Sequence, residues 1–173
     1  MKPRYHHGVL GINSRLDSLQ AAVLLTKLPY LADWTEKRKR NAALYKELFS
    51  NDFAEHGISD QLGESIELPL SDTDGGCVWN QYTVRVKGGR RDELRQTLAA
   101  QQIGSEIYYP MPLHEQPCFA DLGWETGSLP VTEQAAREVL SLPVFPHLTA
   151  TEQQTTVRAI GAFFEQATTQ KVA

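Results

Sequence analysis

Cysteine is scarce, with Cys77 and Cys118 the only two in 173 residues. They stand far apart and in no metal-ligand spacing, which argues against a zinc module and against a disulfide-stapled scaffold. Both are expected as simple buried thiols in a reduced, cytoplasmic setting. Long apolar runs are missing too. Nothing approaches the roughly 18 residues a membrane-spanning helix needs, and the N-terminus lacks the apolar core of a secretory signal. Internal repeats are absent. No single charge sign dominates, since the formal net charge is −4. That figure hides an asymmetry: residues 1–50 carry a net +5 and the remainder a net −9. A basic front end suits an anionic ligand, and it equally suits one solvated helix face.

What is present is an ordinary globular composition, 41% hydrophobic and 22% charged, in a chain long enough for one domain with a real core. Ser14-x-x-Asp17 has capping-box form and precedes a helical stripe of Leu16, Leu19, Val23, Leu28 and Leu31. Pro29 breaks or kinks that helix. A second helical pattern follows through Trp34, Ala42, Tyr45, Leu48 and Phe49. Its other face holds Glu36-Lys37-Arg38-Lys39-Arg40, a run without interleaved aromatics, which reads as solvent-facing and not as a nucleic-acid patch.

Residues 71–76 form a polar, turn-rich loop. Residues 77–86 follow as a strand, with alternation at Tyr82, Val84 and Val86, and Trp79 and Tyr82 are expected in the core. A helix is predicted over 91–102, with Leu94 and Leu98 on one side, and a strand over Glu106–Tyr109. Pro110 and Pro112 then enforce an extended turn. Another helix opens near Leu129-Pro130 with Thr132 as its cap, a short strand covers 141–144, and Thr149-x-x-Glu152 caps a last helix burying Val157, Ile160, Phe163 and Phe164. Helices followed by strands interspersed with helices predict an α+β fold with a small, mainly antiparallel sheet.

Asn13 lies ahead of a helix start, where free N–H groups and the helix dipole favour an anion; the position also suits a turn-forming asparagine. Arg15 offers a planar fork for phosphate or carboxylate, or sits as a first-turn surface arginine. Tyr109 and His114 flank the stiff Pro110-Met111-Pro112 turn, which can hold polar side chains for binding or serve only as a connection. His6 and His7 read as an exposed pair, and no metal site is indicated.

Four stretches occur in one order: Gly11-Ile12-Asn13-Ser14-Arg15-Leu16-Asp17-Ser18-Leu19-Gln20-Ala21-Ala22, Trp79-Asn80-Gln81-Tyr82, Tyr108-Tyr109-Pro110-Met111-Pro112-Leu113-His114, and Leu140-Ser141-Leu142-Pro143-Val144-Phe145-Pro146. Together they resemble the C-terminal part of the DegT/StrS-type sugar aminotransferases, fold-type-I enzymes dependent on pyridoxal 5'-phosphate. The resemblance implies amino transfer from glutamate to a nucleotide-linked keto-deoxysugar, in a homodimer or together with a separate large-domain chain. It implies that residues 1–50 are the end of the large domain with linking helices, including a long kinked helix, and that 51–173 are the small domain. It gives Asn13 a contact to the cofactor phosphate of the neighbouring subunit. It places Tyr109 and His114 on the substrate-side wall, with Arg15 as a further substrate contact.

The resemblance also implies that the large domain carries the Schiff-base lysine. No lysine here stands in that context, so no catalytic residue is assigned and the isolated chain is expected to be inactive. The rival expectation is a non-catalytic dimerisation or regulatory module derived from the same family. Nucleic acid and membrane are not expected partners.

Overall fold

In the computed structural model the described residues are 4–56, 58–70 and 76–172, with side chains described as far as Gln166. Most of the loop expected at 71–76 lies outside them.

Helix α1 covers Ser18–Lys27. Its cap is Asp17, whose carboxylate accepts the Gln20 N–H at 2.7 Å. The expected Ser14 cap is thus displaced by three residues, because the carboxylate is itself a strong N-cap and Ser14 lies in the irregular stretch before it. Leu28–Tyr30 forms a 3-10 turn with Pro29 near its start, where a missing N–H is tolerated. Helix α2 then runs from Leu31 to Glu55 and buries Ala42, Tyr45, Phe49 and Phe53. Part of its charged run is held in ion pairs, Lys37 to Asp33 at 2.7 Å and Lys39 to Glu36 at 2.9 Å.

A distorted turn, α3 (Gln61–Glu64), leads to the short strand β1 (Ile66–Glu67), which the sequence pattern did not predict. β2 is Tyr82–Val86, shorter than the expected 77–86, and alternates buried and half-buried residues. Helix α4 is Arg91–Ala100, with Leu94 and Leu98 fully buried. β3 is Val139–Leu142. The three strands form one antiparallel sheet in the order β1-β2-β3, with Ile66 opposite Val86 and Val84 opposite Leu140.

The strand expected over Glu106–Tyr109 is not formed. Only Glu106 bridges to Ser141, and the chain then leaves the sheet at the proline turn. Helix α5 (Pro130–Glu138) is entered through Leu129, not Thr132. Pro130 sets the first turn, where its fixed φ is favourable, so Thr132 already lies inside the helix. The last helix, α6, is Ala150–Val172. Its capping box is reciprocal: the Thr149 N–H donates to Glu152 Oε2 at 2.8 Å, and the Glu152 N–H donates to Thr149 Oγ1 at 3.3 Å.

The core lies between the sheet and α2, α4 and α6. Tyr45, Phe49, Phe53, Tyr82, Val84, Leu94, Leu140, Ile160 and Phe164 are all buried in it. Trp79 is half-buried against this cluster. Cys77 and Cys118 form no disulfide, and both are half-buried where full burial was expected. Both lie in connections outside the strands and α-helices, which leaves one side of each open. No described helix is long and apolar enough to cross a membrane.

Candidate functional site

The proline turn and the segment after it build one side of a cavity of about 930 Å³. That volume lies within the range of small-molecule sites. Tyr109 and His114 both line it, together with Tyr5, His7 and Tyr108. Met111, Leu113, Trp124, Leu129 and Val139 are part of its apolar wall. The cavity thus brings together two of the four residues predicted to bind substrate or cofactor. Asn13 and Arg15 do not line it; both are exposed on the arm that precedes α1.

The N-terminal arm is fastened to the cavity by Gln116, a buried side chain that no local sequence pattern marks. Its Nε2 donates to the Tyr5 carbonyl at 2.9 Å, and its Oε1 accepts the His7 N–H at 2.8 Å. The Cys118 N–H adds a bond to the His7 carbonyl at 3.1 Å. Tyr5 then lies edge-on to both Tyr108 and Tyr109, with ring centroids 5.9 and 5.2 Å away. Arg4 closes the arm through an ion pair with Glu106.

A second unforeseen residue is Glu133. Its carboxylate accepts from the Gly127 N–H at 2.8 and 2.9 Å, from the Leu129 N–H at 3.1 Å and from His114 Nε2 at 3.1 Å. Burial alone raises its pKa, but the Leu129 and Gly127 N–H groups and His114 outweigh that and hold it below the ordinary glutamate value. His114 is therefore no surface histidine. Its side chain is 6% exposed, and its ring ties the proline turn to the loop carrying Trp124. An acidic residue in the first turn of a proline-started helix was the available sequence signal for Glu133. His114, Glu115 and Glu133 bring ligand-type atoms within 4.8 Å of one another. The Glu133 oxygens are already taken by these donors, so the cluster serves as a structural tie.

At the α1 N-terminus the Gln20 N–H is already taken up by the Asp17 carboxylate. The Asp17 carboxylate occupies the cap, and Asn13 stands four residues ahead of it. No Lys lines the cavity among the described residues.

Known proteins supply the frame. A crystal structure of DesV from Streptomyces venezuelae in complex with a ketimine intermediate superposes with a TM-score of 0.72 at 37% identity, covering 94% of this chain and 40% of that one. The fold is thus that of part of an aminotransferase. The match to the DegT/DnrJ/EryC1/StrS aminotransferase family runs over residues 1–161, and the chain belongs to that family. Among curated relatives, the pleiotropic regulatory protein of Geobacillus stearothermophilus is 45% identical over 94% of this chain and 41% of its own length. The dTDP-3-amino-3,4,6-trideoxy-alpha-D-glucose transaminase of Streptomyces venezuelae is 40% identical over 96% of this chain and 40% of its own length. The chain therefore spans about two-fifths of the length of these relatives.

Proposed function

We propose that this chain forms the C-terminal, substrate-side part of a fold-type-I nucleotide-sugar aminotransferase, acting with a large domain that supplies the Schiff-base lysine and most of the cofactor site. The observation that carries this reading is the cavity. Tyr109 and His114, the two residues that the family resemblance assigns to a substrate-side wall, line one cavity. Pyridoxal phosphate, held chiefly by the large domain, supplies the electron sink that transamination requires. This chain's own contribution is to shape and orient. Glu133 fixes His114 and the Trp124 loop, Gln116 fixes the arm, and the arm carries Asn13 and Arg15 toward the cofactor phosphate and the substrate. The working form is a homodimer or a pair of unlike chains, and glutamate is the amino donor.

Combining the chain with the large domain of a family member tests this. The expected result is a visible cofactor absorbance band and amino transfer from glutamate, with Asn13→Ala lowering cofactor retention. A folded, associated complex that binds no pyridoxal phosphate and transfers no amino group would overturn it.

A second reading draws on the similarity to a protein named as a pleiotropic regulator: a module that keeps the association surface without the chemistry. Retained association together with absent transfer in the same experiment favours it.

A further inference from the structure

We infer that Gln116 is a positioning residue: it sets the register of the N-terminal arm and, through the arm, the place of Asn13 against the cofactor phosphate. The part given to Asn13 rests on the aminotransferase reading above. The latch itself stands on the geometry of this chain.

Gln116 is held still by its own backbone. It joins two 3-10 turns, Leu113–Glu115 and Pro117–Leu122. Pro117 keeps it extended, its N–H donates to the Leu113 carbonyl at 3.1 Å, and its carbonyl accepts the Phe119 N–H at 2.8 Å. The residue is 3% exposed. Its side-chain amide carries a donor and an acceptor side by side, as a peptide group does. The arm supplies the matching pair, the Tyr5 carbonyl and the His7 N–H. One donor on one acceptor at each end fixes both the position and the direction of the arm, since reversing either end would set like groups against each other.

The other ties of the arm are weaker or belong to the same latch. Arg4 is 70% exposed in its ion pair with Glu106, and exposed pairs contribute little. The edge-on contacts of Tyr5 set a distance and leave the register open. The Cys118 N–H, on the His7 carbonyl, comes from the turn that Gln116 begins. Beyond His7, residues 8–16 are exposed, and among the described residues no hydrogen bond holds them. The next fixed point is Asp17, the cap of α1. Asn13 and Arg15 thus sit in a span with two anchors, the latch and the cap. Releasing one anchor multiplies the conformations of the span. A side chain presented from a looser span binds more weakly, because binding must then order it.

Hydrogen exchange on the free chain, read by mass spectrometry, tests the latch through the His7 and Cys118 amides. Gln116→Met keeps the length of the side chain and removes both bonds, so exchange at His7 and Cys118 should rise about tenfold or more. Gln116→Glu keeps the acceptor, loses the donor and should act in the same direction. Arg4→Ala should change the rates about threefold at most. In the complex with the large domain of a family member, Gln116→Met and Asn13→Ala should each weaken pyridoxal phosphate retention. The double variant should retain it as Asn13→Ala alone does, since the two residues act in series. Unchanged exchange in both Gln116 variants, or an equal rise in Arg4→Ala, overturns the latch. Additive losses in the double variant overturn its action through Asn13. A wild-type complex that binds no pyridoxal phosphate overturns the aminotransferase reading and the part of Asn13 with it, while the exchange rates still decide the latch.

Discussion

Glu133 shows how a single carboxylate can organise a site without touching a ligand. It gathers two backbone N–H groups and an imidazole while only 5% exposed. A buried carboxylate this well supplied with donors favours its charged form. Its folded-state pKa lies below the ordinary 4.5, so its contribution to stability is present above that value and is lost as pH falls through the folded one. Glu133→Gln should lower the thermal midpoint at neutral pH and flatten the acid side of the stability profile. Melts across pH 3–7 check this, and superimposable acid limbs for the two proteins would sink it. Gln116 was not legible in the sequence, and of Glu133 only its place in the first turn of a proline-started helix was. Gln116 acts across 111 positions, on Tyr5, and no local pattern carries that information. Tyr109 and His114 were legible as site candidates because two prolines mark a stiff turn. The buried tie of His114 was not, since its partner lies 19 positions on.

The elements were more readable, because periodicity is local. The β2 alternation, the Leu94/Leu98 face of α4 and the Thr149 box of α6 all follow from spacing alone. Thr149→Ala should cost about 1 kcal/mol, as cap removals do, read from the denaturation midpoint. Strand Glu106–Tyr109 misled because β-branched and aromatic content sits beside a proline turn, and pairing with β3 stops after one bridge. The seam between α2 and α6 carries a feature no periodicity reveals. A Cβ on Gly161 would lie 2.5 Å from Asp52 Oδ2, and that oxygen is buried without a hydrogen-bond partner. Gly161→Ala should therefore turn the Asp52 carboxylate, the end of a flexible side chain, aside, and the denaturation midpoint should report a net change within about 1 kcal/mol because Ala favours the helix over Gly by a similar amount.

Burial raises the Asp52 carboxyl above its ordinary 3.8, with His56 and Arg158 pulling the other way and Glu55 and Glu165 adding to the rise. A raised acid contributes stability that is present below the unfolded value and is lost as pH climbs through the folded one. Asp52→Asn should thus gain on the native protein as pH rises from below 3.8 toward neutrality. Urea titrations along that range decide it, and a constant difference between the two would count against the raised carboxyl.

At the scale of the whole molecule, the imbalance lies in α1. None of its residues is buried, and Leu19, Val23, Leu24, Leu25 and Leu28 are all exposed. They continue an exposed run that includes Val9, Leu10 and Ile12. At about 100° per residue Leu19 and Val23 share one face while Leu24 and Leu25 lie well round the axis from it, so the helix is apolar on several sides. Such a helix belongs inside a larger assembly, and so large a patch drives association when left open. The chain covers about two-fifths of its curated relatives, and the proposed large domain is the natural cover. Alone, the protein should self-associate with concentration in size-exclusion chromatography coupled to light scattering. Replacing Leu19, Val23 and Leu24 together by Ser should shift it toward monomer without changing its far-ultraviolet spectrum, because none of the three touches the core. Adding the large-domain chain should convert the self-associated species into a complex of fixed stoichiometry. A wild-type chain that stays monomeric at every concentration and takes up no large domain would show that α1 tolerates water as it stands, and the proposed assembly would fall with it.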